Sequence, residues 1–130
     1  MYEQNRVPTR EKVDKFAYLS PMLDSALSEM RDFSKKKQDG IVSATKIKIL
    51  NRLLADIREI LSGEDSGNYL DPLDEQQLAQ NSDAVLVLGQ YRAALNSFEK
   101  AHFRYVSSVG NVWITKEWIE EREAQDRGGA

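Results

Sequence analysis

Apolar residues recur at helical spacing over three long stretches of the chain. Leu23, Ala26, Leu27, Met30 and Phe33 repeat at three- and four-residue intervals, which places them on one helical face. Stepping back at about 100° per residue puts Leu19 and Phe16 on the same stripe. Ser20-Pro21 is a helix-start signal, with Ser20 as N-cap and Pro21 at the first helical position, where its missing N–H costs nothing. The spacing predicts either a helix over 21–37 led by a short N-terminal accessory helix, or one kinked helix over 9–37, because proline can kink a helix without ending it. Gln38-Asp39-Gly40 then stops the pattern and leaves a short connection, as between antiparallel neighbours.

A second helix is predicted over 44–61, capped by Ser43 and ended by Gly63. Ile47, Ile49, Leu50, Leu53, Leu54, Ile57, Ile60 and Leu61 cover an arc of about 160° on its wheel. That is wider than one neighbour needs, so the helix is expected to meet two partners. The 62–81 link is long for a structureless connection, and Asp71-Pro72 can start a short helix in it through Leu78. Tyr69, Leu70 and Leu73 would pin that segment to the core.

A third helix is predicted over 82–106, capped by Asn81 or Ser82 with Asp83 in its first turn. Its stripe is Ala84, Val87, Leu88, Tyr91, Leu95, Phe98, His102 and Tyr105. Val85, Leu86 and Phe103 lie off the stripe, and Gly89 offers another backbone a close approach, which implies a second contact surface. Ser107 to Asn111 breaks the pattern, and Thr115 can cap a last short helix over 116–124. The expectation is an all-α chain: an antiparallel bundle of three long helices with accessory helices at the N-terminus, in the link and at 116–124. Residues 1–124 form one domain, 125–130 a disordered tail, and the only strand candidate is Val112-Trp113-Ile114.

Composition narrows the chemistry. The 130 residues hold no cysteine and one histidine, which excludes a disulfide scaffold, a thiolate metal site, a cysteine nucleophile and any centre built on two histidines of one chain. No apolar signal region follows Met1, and the longest apolar run, Ala84 to Leu88, is far shorter than the roughly 20 residues of a membrane span. A cytoplasmic protein without membrane contact is expected. The net charge of −3 argues against general attraction to nucleic acid. It conceals a basic stretch, 31–58 at +5, followed by an acidic one, 59–83 at −7.

Glu99 and His102 have the Glu-x-x-His spacing of carboxylate-bridged metal bundles, the basis for an alternative reading as a metal-dependent enzyme. A second histidine is lacking, and His102 falls on the apolar stripe, so it is read as a packed core residue. The acidic link departs from a calcium loop at nearly every ligand position, and no glycine-rich phosphate loop is present. No cofactor is expected. Lys35, Lys36, Lys37, Lys46, Lys48 and Arg52 gather at one end of the first helical hairpin, which supports a second alternative, a polyanion- or nucleic-acid-binding module. The C-terminal arm holds both tryptophans, which either fold back over the bundle or anchor a partner. The leading expectation is a non-enzymatic helical protein acting through protein contacts, as an adaptor, accessory or regulatory subunit or as a homodimer, with Val85, Gly89, Phe103, Trp113 and Trp118 at the contact.

Overall fold

The first helix starts at Thr9, whose Oγ1 accepts the Lys12 backbone N–H at 3.3 Å, and not at Ser20. In the computed structural model, which describes residues 6–128, α1 runs without interruption over Arg10–Lys36 with Pro21 inside it. Proline removes the helical donor for the Ala17 carbonyl. The helix persists because Val13, Phe16 and Leu19 before Pro21 continue the same buried stripe as Leu23, Leu27 and Met30 after it. Arg92 also braces the two flanks of the proline. Its Nη2 donates to the Ser20 carbonyl (3.1 Å) and Oγ (2.9 Å), and its Nε forms an ion pair with Asp24 at 3.2 Å.

α2 spans Ala44–Ile60 behind the Ser43 cap, as the spacing predicts to within a residue. α3 spans Asn81–His102 and is capped by Gln80 in place of Asn81 or Ser82; the Gln80 N–H donates to the Asp83 carboxylate at 3.2 Å. The expected helix to 106 ends four residues early. Phe103–Val106 forms strand β1, which pairs antiparallel with β2, Gly110–Trp113, Phe103 lying opposite Trp113. The β-branched and aromatic residues of both segments suit a pleated pair, and Gly110 at φ 86° supplies the left-handed residue next to the turn. α4 covers Lys116–Gly128, longer than expected; it includes the first part of the presumed tail, whose last two residues lie outside the described ones. The expected N-terminal accessory helix is absorbed into α1 from Arg10 onward, and residues 1–5 also lie outside the described ones.

The protein is mostly α, but the packing is not the closed three-helix bundle that periodicity suggests. Phe33 near the end of α1 lies under Lys46 at the start of α2, while Lys12 near its beginning donates to the Ser62 carbonyl, so the two helices run antiparallel. Contacts of Phe16 with Phe98 and of Lys37 with Asn81 set α3 antiparallel to α1 as well. α1 is therefore the shared wall, and the chain over 61–80 wedges between α2 and α3. The expected helix at 71–78 is absent. A 3-10 turn, Asp65–Tyr69, comes earlier, and Asp74 caps its own following amides, Gln76 and Gln77. Leu70 and Leu73 are buried as predicted, whereas Tyr69 stays exposed.

Two polar devices fix the wedge. The Asn51 side-chain amide exchanges both hydrogen bonds with the Leu73 backbone, each 2.8 Å. Tyr91, fully buried, donates from its hydroxyl to the Asp71 carbonyl at 2.8 Å. The centre holds Leu23, Ile47, Leu54, Ile57, Leu88, Leu95 and Phe98, each worth roughly 1.5–3 kcal/mol of apolar burial.

Candidate functional site

Among the described residues, one flank of the α1–α2 pair is left uncovered. The wide apolar arc of α2 meets α1 on one side and the 61–80 wedge on the other, yet Ile49 remains 63% exposed and Leu53 half-buried. Opposite them on α1, Tyr18 (55% exposed) and Met22 (54%) stand one turn apart, off the stripe that enters the core. Between the helices lies an open groove of about 560 Å³, floored by Leu19, Ala26 and Leu50. Three large, exposed apolar side chains around one groove form a contiguous patch of the kind that marks an interaction surface.

Charges rim this patch in order. Glu29, Arg52 and Asp56 line the groove itself. Lys15 and Glu59 line the continuation of the seam toward the start of α1, and Glu29 and Lys46 its continuation toward the end of α1. Among the described residues, Glu29, Arg52, Asp56 and Glu59 make no ion pair within the chain. Lys46 covers the Phe33 ring with its ammonium 3.7 Å from the centroid, and Lys15 meets Glu11 at 3.5 Å.

The residues singled out from sequence fall elsewhere. Trp113 turns inward, against Phe16 at 5.2 Å and Phe98 at 5.8 Å between ring centroids, with Phe103 at 5.3 Å on its other side. Ile114 and Ile119 are buried, and Trp118 is half-buried with the Arg122 guanidinium 5.0 Å from its ring. The tryptophan arm thus folds back. It is fastened to the beginning of α1, where the Lys116 N–H donates to the Pro8 carbonyl (3.0 Å), the Arg10 N–H to Glu117 (2.9 Å) and the Arg10 guanidinium to Glu121 (2.9 Å). Val85 is half-buried against the core. Gly89 faces open space, since a Cβ built there meets nothing within 4 Å. Of these five residues, the structure brings Phe103 and Trp113 into ring contact.

His102 is buried, with its ring edge-on to Phe98 and its Nε2 within 3.1–3.2 Å of both carboxylate oxygens of Glu64. Its partner is the link and not Glu99, which is exposed. Among the described residues no cluster of three or more histidine, aspartate or glutamate side chains has metal-binding geometry. No helix among them is long and apolar enough to cross a membrane. Lys35, Lys36 and Lys37 lie exposed at the end of α1, beside the start of α2 with Lys46 and Lys48, while Arg52 stands farther along, in the groove. Sequence reasoning missed Tyr18 and Met22, which belong to no stripe. For Ile49 the signal was present: an apolar arc too wide for its neighbours. The chain matches no protein-family model, and neither a curated protein nor a solved structure shows significant similarity to it.

Proposed function

We propose that this chain is a non-enzymatic, cytoplasmic helical protein that works through protein–protein contacts, as an adaptor, accessory or regulatory subunit, with the α1–α2 groove as its contact surface. The observation that carries this reading is the set Tyr18, Met22 and Ile49, each more than half exposed around one groove whose lining charges Glu29, Arg52 and Asp56 make no ion pair among the described residues. Covering such side chains is the ordinary source of association free energy, and the rim supplies specificity. The test is affinity capture from the source cells with the wild-type chain and with Ile49→Asp, a change at an exposed site that leaves the core intact. Captured protein, or self-association, that survives Ile49→Asp unchanged overturns the reading.

A second reading, a polyanion-binding module, is favoured by one observation: the α1–α2 connection brings Lys35, Lys36 and Lys37 beside Lys46 and Lys48 at one end of the molecule. Binding to heparin that weakens steeply with added salt would support it. Absence of binding at low salt would dismiss it.

A further inference from the structure

We infer that the occupant of the α1–α2 groove is a second copy of this chain, docked across a two-fold axis that sets α1 against α1 and α2 against α2, each pair antiparallel. This rests on the reading of the groove as a protein-contact surface and names its partner. The argument is charge order. Met22 on α1 and Leu53 on α2 both line the groove. Lys15 and Glu29 stand seven residues to either side of Met22, two helical turns each way and so close to one face of α1. Along α2, Lys48 and Arg52 precede Leu53, while Asp56 and Glu59 follow it.

Apart from Glu11, which pairs with Lys15, the charges that line the seam change sign across the same line: Lys12, Lys15, Lys46 and Arg52 come before it, Glu29, Asp56 and Glu59 after it. A two-fold axis crossing both helices at that line sets Lys15 of one copy against Glu29 of the other, and Arg52 against Asp56. Each of these pairs occurs twice, and both join opposite signs. Met22 lies on the axis and meets its own counterpart. A two-fold axis running along the helices pairs α1 with α2 instead; it sets Lys15 against Glu59 and Glu29 against Lys46, but keeps Arg52 and Asp56 apart. The groove-lining charges Arg52 and Asp56 meet only in the first arrangement.

The size of the face sets the strength. From Lys15 to Glu29 it is about 21 Å long, and two helices make it roughly 20 Å wide. That is about 420 Å² on each copy, below the size of stable specific interfaces and in the range of weak, transient ones, so a weak, concentration-dependent dimer is expected.

The test is sedimentation equilibrium of the whole chain from about 1 to about 500 μM, a range that brackets such an interface. Expected are a monomer–dimer equilibrium, weakening of roughly tenfold or more by Arg52→Glu, and recovery in the double variant Arg52→Glu/Asp56→Arg, which restores the opposite-sign pair with its sense reversed. Met22→Cys, the only thiol in a cysteine-free chain, is expected to give a covalent dimer on mild oxidation that Arg52→Glu suppresses. All three positions are exposed, so circular dichroism should show the variants folded. A monomer at every concentration, a dimer indifferent to Arg52→Glu, or a dimer that Met22→Cys does not link would overturn the inference. A monomeric chain whose capture of another protein still depends on Ile49 would overturn the second-copy inference alone; loss of both dimer and Ile49-dependent capture would overturn the groove reading with it.

Discussion

Arg58 on α2 places its Nη1 2.6 Å from the hydroxyl of Tyr91 on α3, and among the described residues this is the one side-chain hydrogen bond that joins the two helices directly. Because the same hydroxyl donates to the Asp71 carbonyl, three segments converge on one oxygen. Tyr91→Phe removes that oxygen and leaves a guanidinium and a carbonyl without their partner. The expected cost is about 1–2 kcal/mol, read from urea denaturation near neutral pH.

The same phenol gives the molecule an alkaline limit. Burial raises the Tyr91 pKa above its ordinary 10.0, although the nearby Arg58 opposes the shift. The unfolded chain therefore ionises first. The stabilising contribution is complete below about pH 10 and is lost as pH rises through the higher folded-state value. Denaturation midpoints measured from neutral to alkaline pH should fall beyond about pH 10, and this part of the fall should be absent in Tyr91→Phe.

Pro21 interrupts the hydrogen bonding of α1 at an exposed position. Pro21→Ala restores the missing donor and should raise stability by about 1–3 kcal/mol. Arg92→Met removes the brace to Ser20 and Asp24 and should cost about 1–2 kcal/mol. If the arginine supports the proline, that cost shrinks in the Pro21→Ala background, a non-additivity that a double-mutant cycle measures.

Two glycines should respond in opposite directions to alanine. Gly89 sits in the body of α3 with open space where a Cβ would go, so Gly89→Ala should stabilise by about 1 kcal/mol through helix propensity alone. At Gly67 a Cβ would lie 2.6 Å from the Leu61 carbonyl oxygen, which the backbone must move to relieve. Gly67→Ala should destabilise by roughly 1–3 kcal/mol. Thermal unfolding of both variants checks the pair.

Acid should loosen the C-terminal arm before the core. Accepting the Arg10 backbone N–H holds the Glu117 carboxyl below its ordinary 4.5. Its contribution is present above that value and is lost as pH falls below it, toward the lower folded-state value. Because the group lies on the terminal arm and away from the core, the expected effect is local. Fluorescence reporting on Trp118 should change in acid while far-ultraviolet dichroism of the long helices persists, and Glu117→Gln should show the change already at neutral pH.

What could be read from the sequence, and what could not, divides by range. α2 was legible almost to the residue because Ser43, its dense apolar arc and Gly63 are all local signals. Ser20-Pro21 misled because the residue that spans that proline, Arg92, is 71 positions downstream of it. The end of α3 was missed because Phe103, Tyr105 and Val106 suit either a helical face or a strand, and only their pairing with residues 110–113 decides. His102 was correctly placed in the core, but its partner, Glu64, comes from the link, whose path no periodicity reveals. The groove was half legible: Ile49 belonged to an arc too wide for its neighbours, whereas Tyr18 and Met22 looked like ordinary surface residues.

The fastening of α4 to the beginning of α1 bears on the order in which the molecule assembles. The hydrogen bonds of Arg10 to Glu117 and Glu121 close a separation of 107 to 111 residues, whereas the α1–α2 connection runs only from Lys37 to Ser43. Chain entropy makes the longer closure roughly 2 kcal/mol costlier than the shorter. The helical hairpin can therefore form early from local contacts, and the arm docks late, onto a surface already made. Until it docks, the aromatic pair Phe16 and Phe98 lacks the cover that Trp113 supplies.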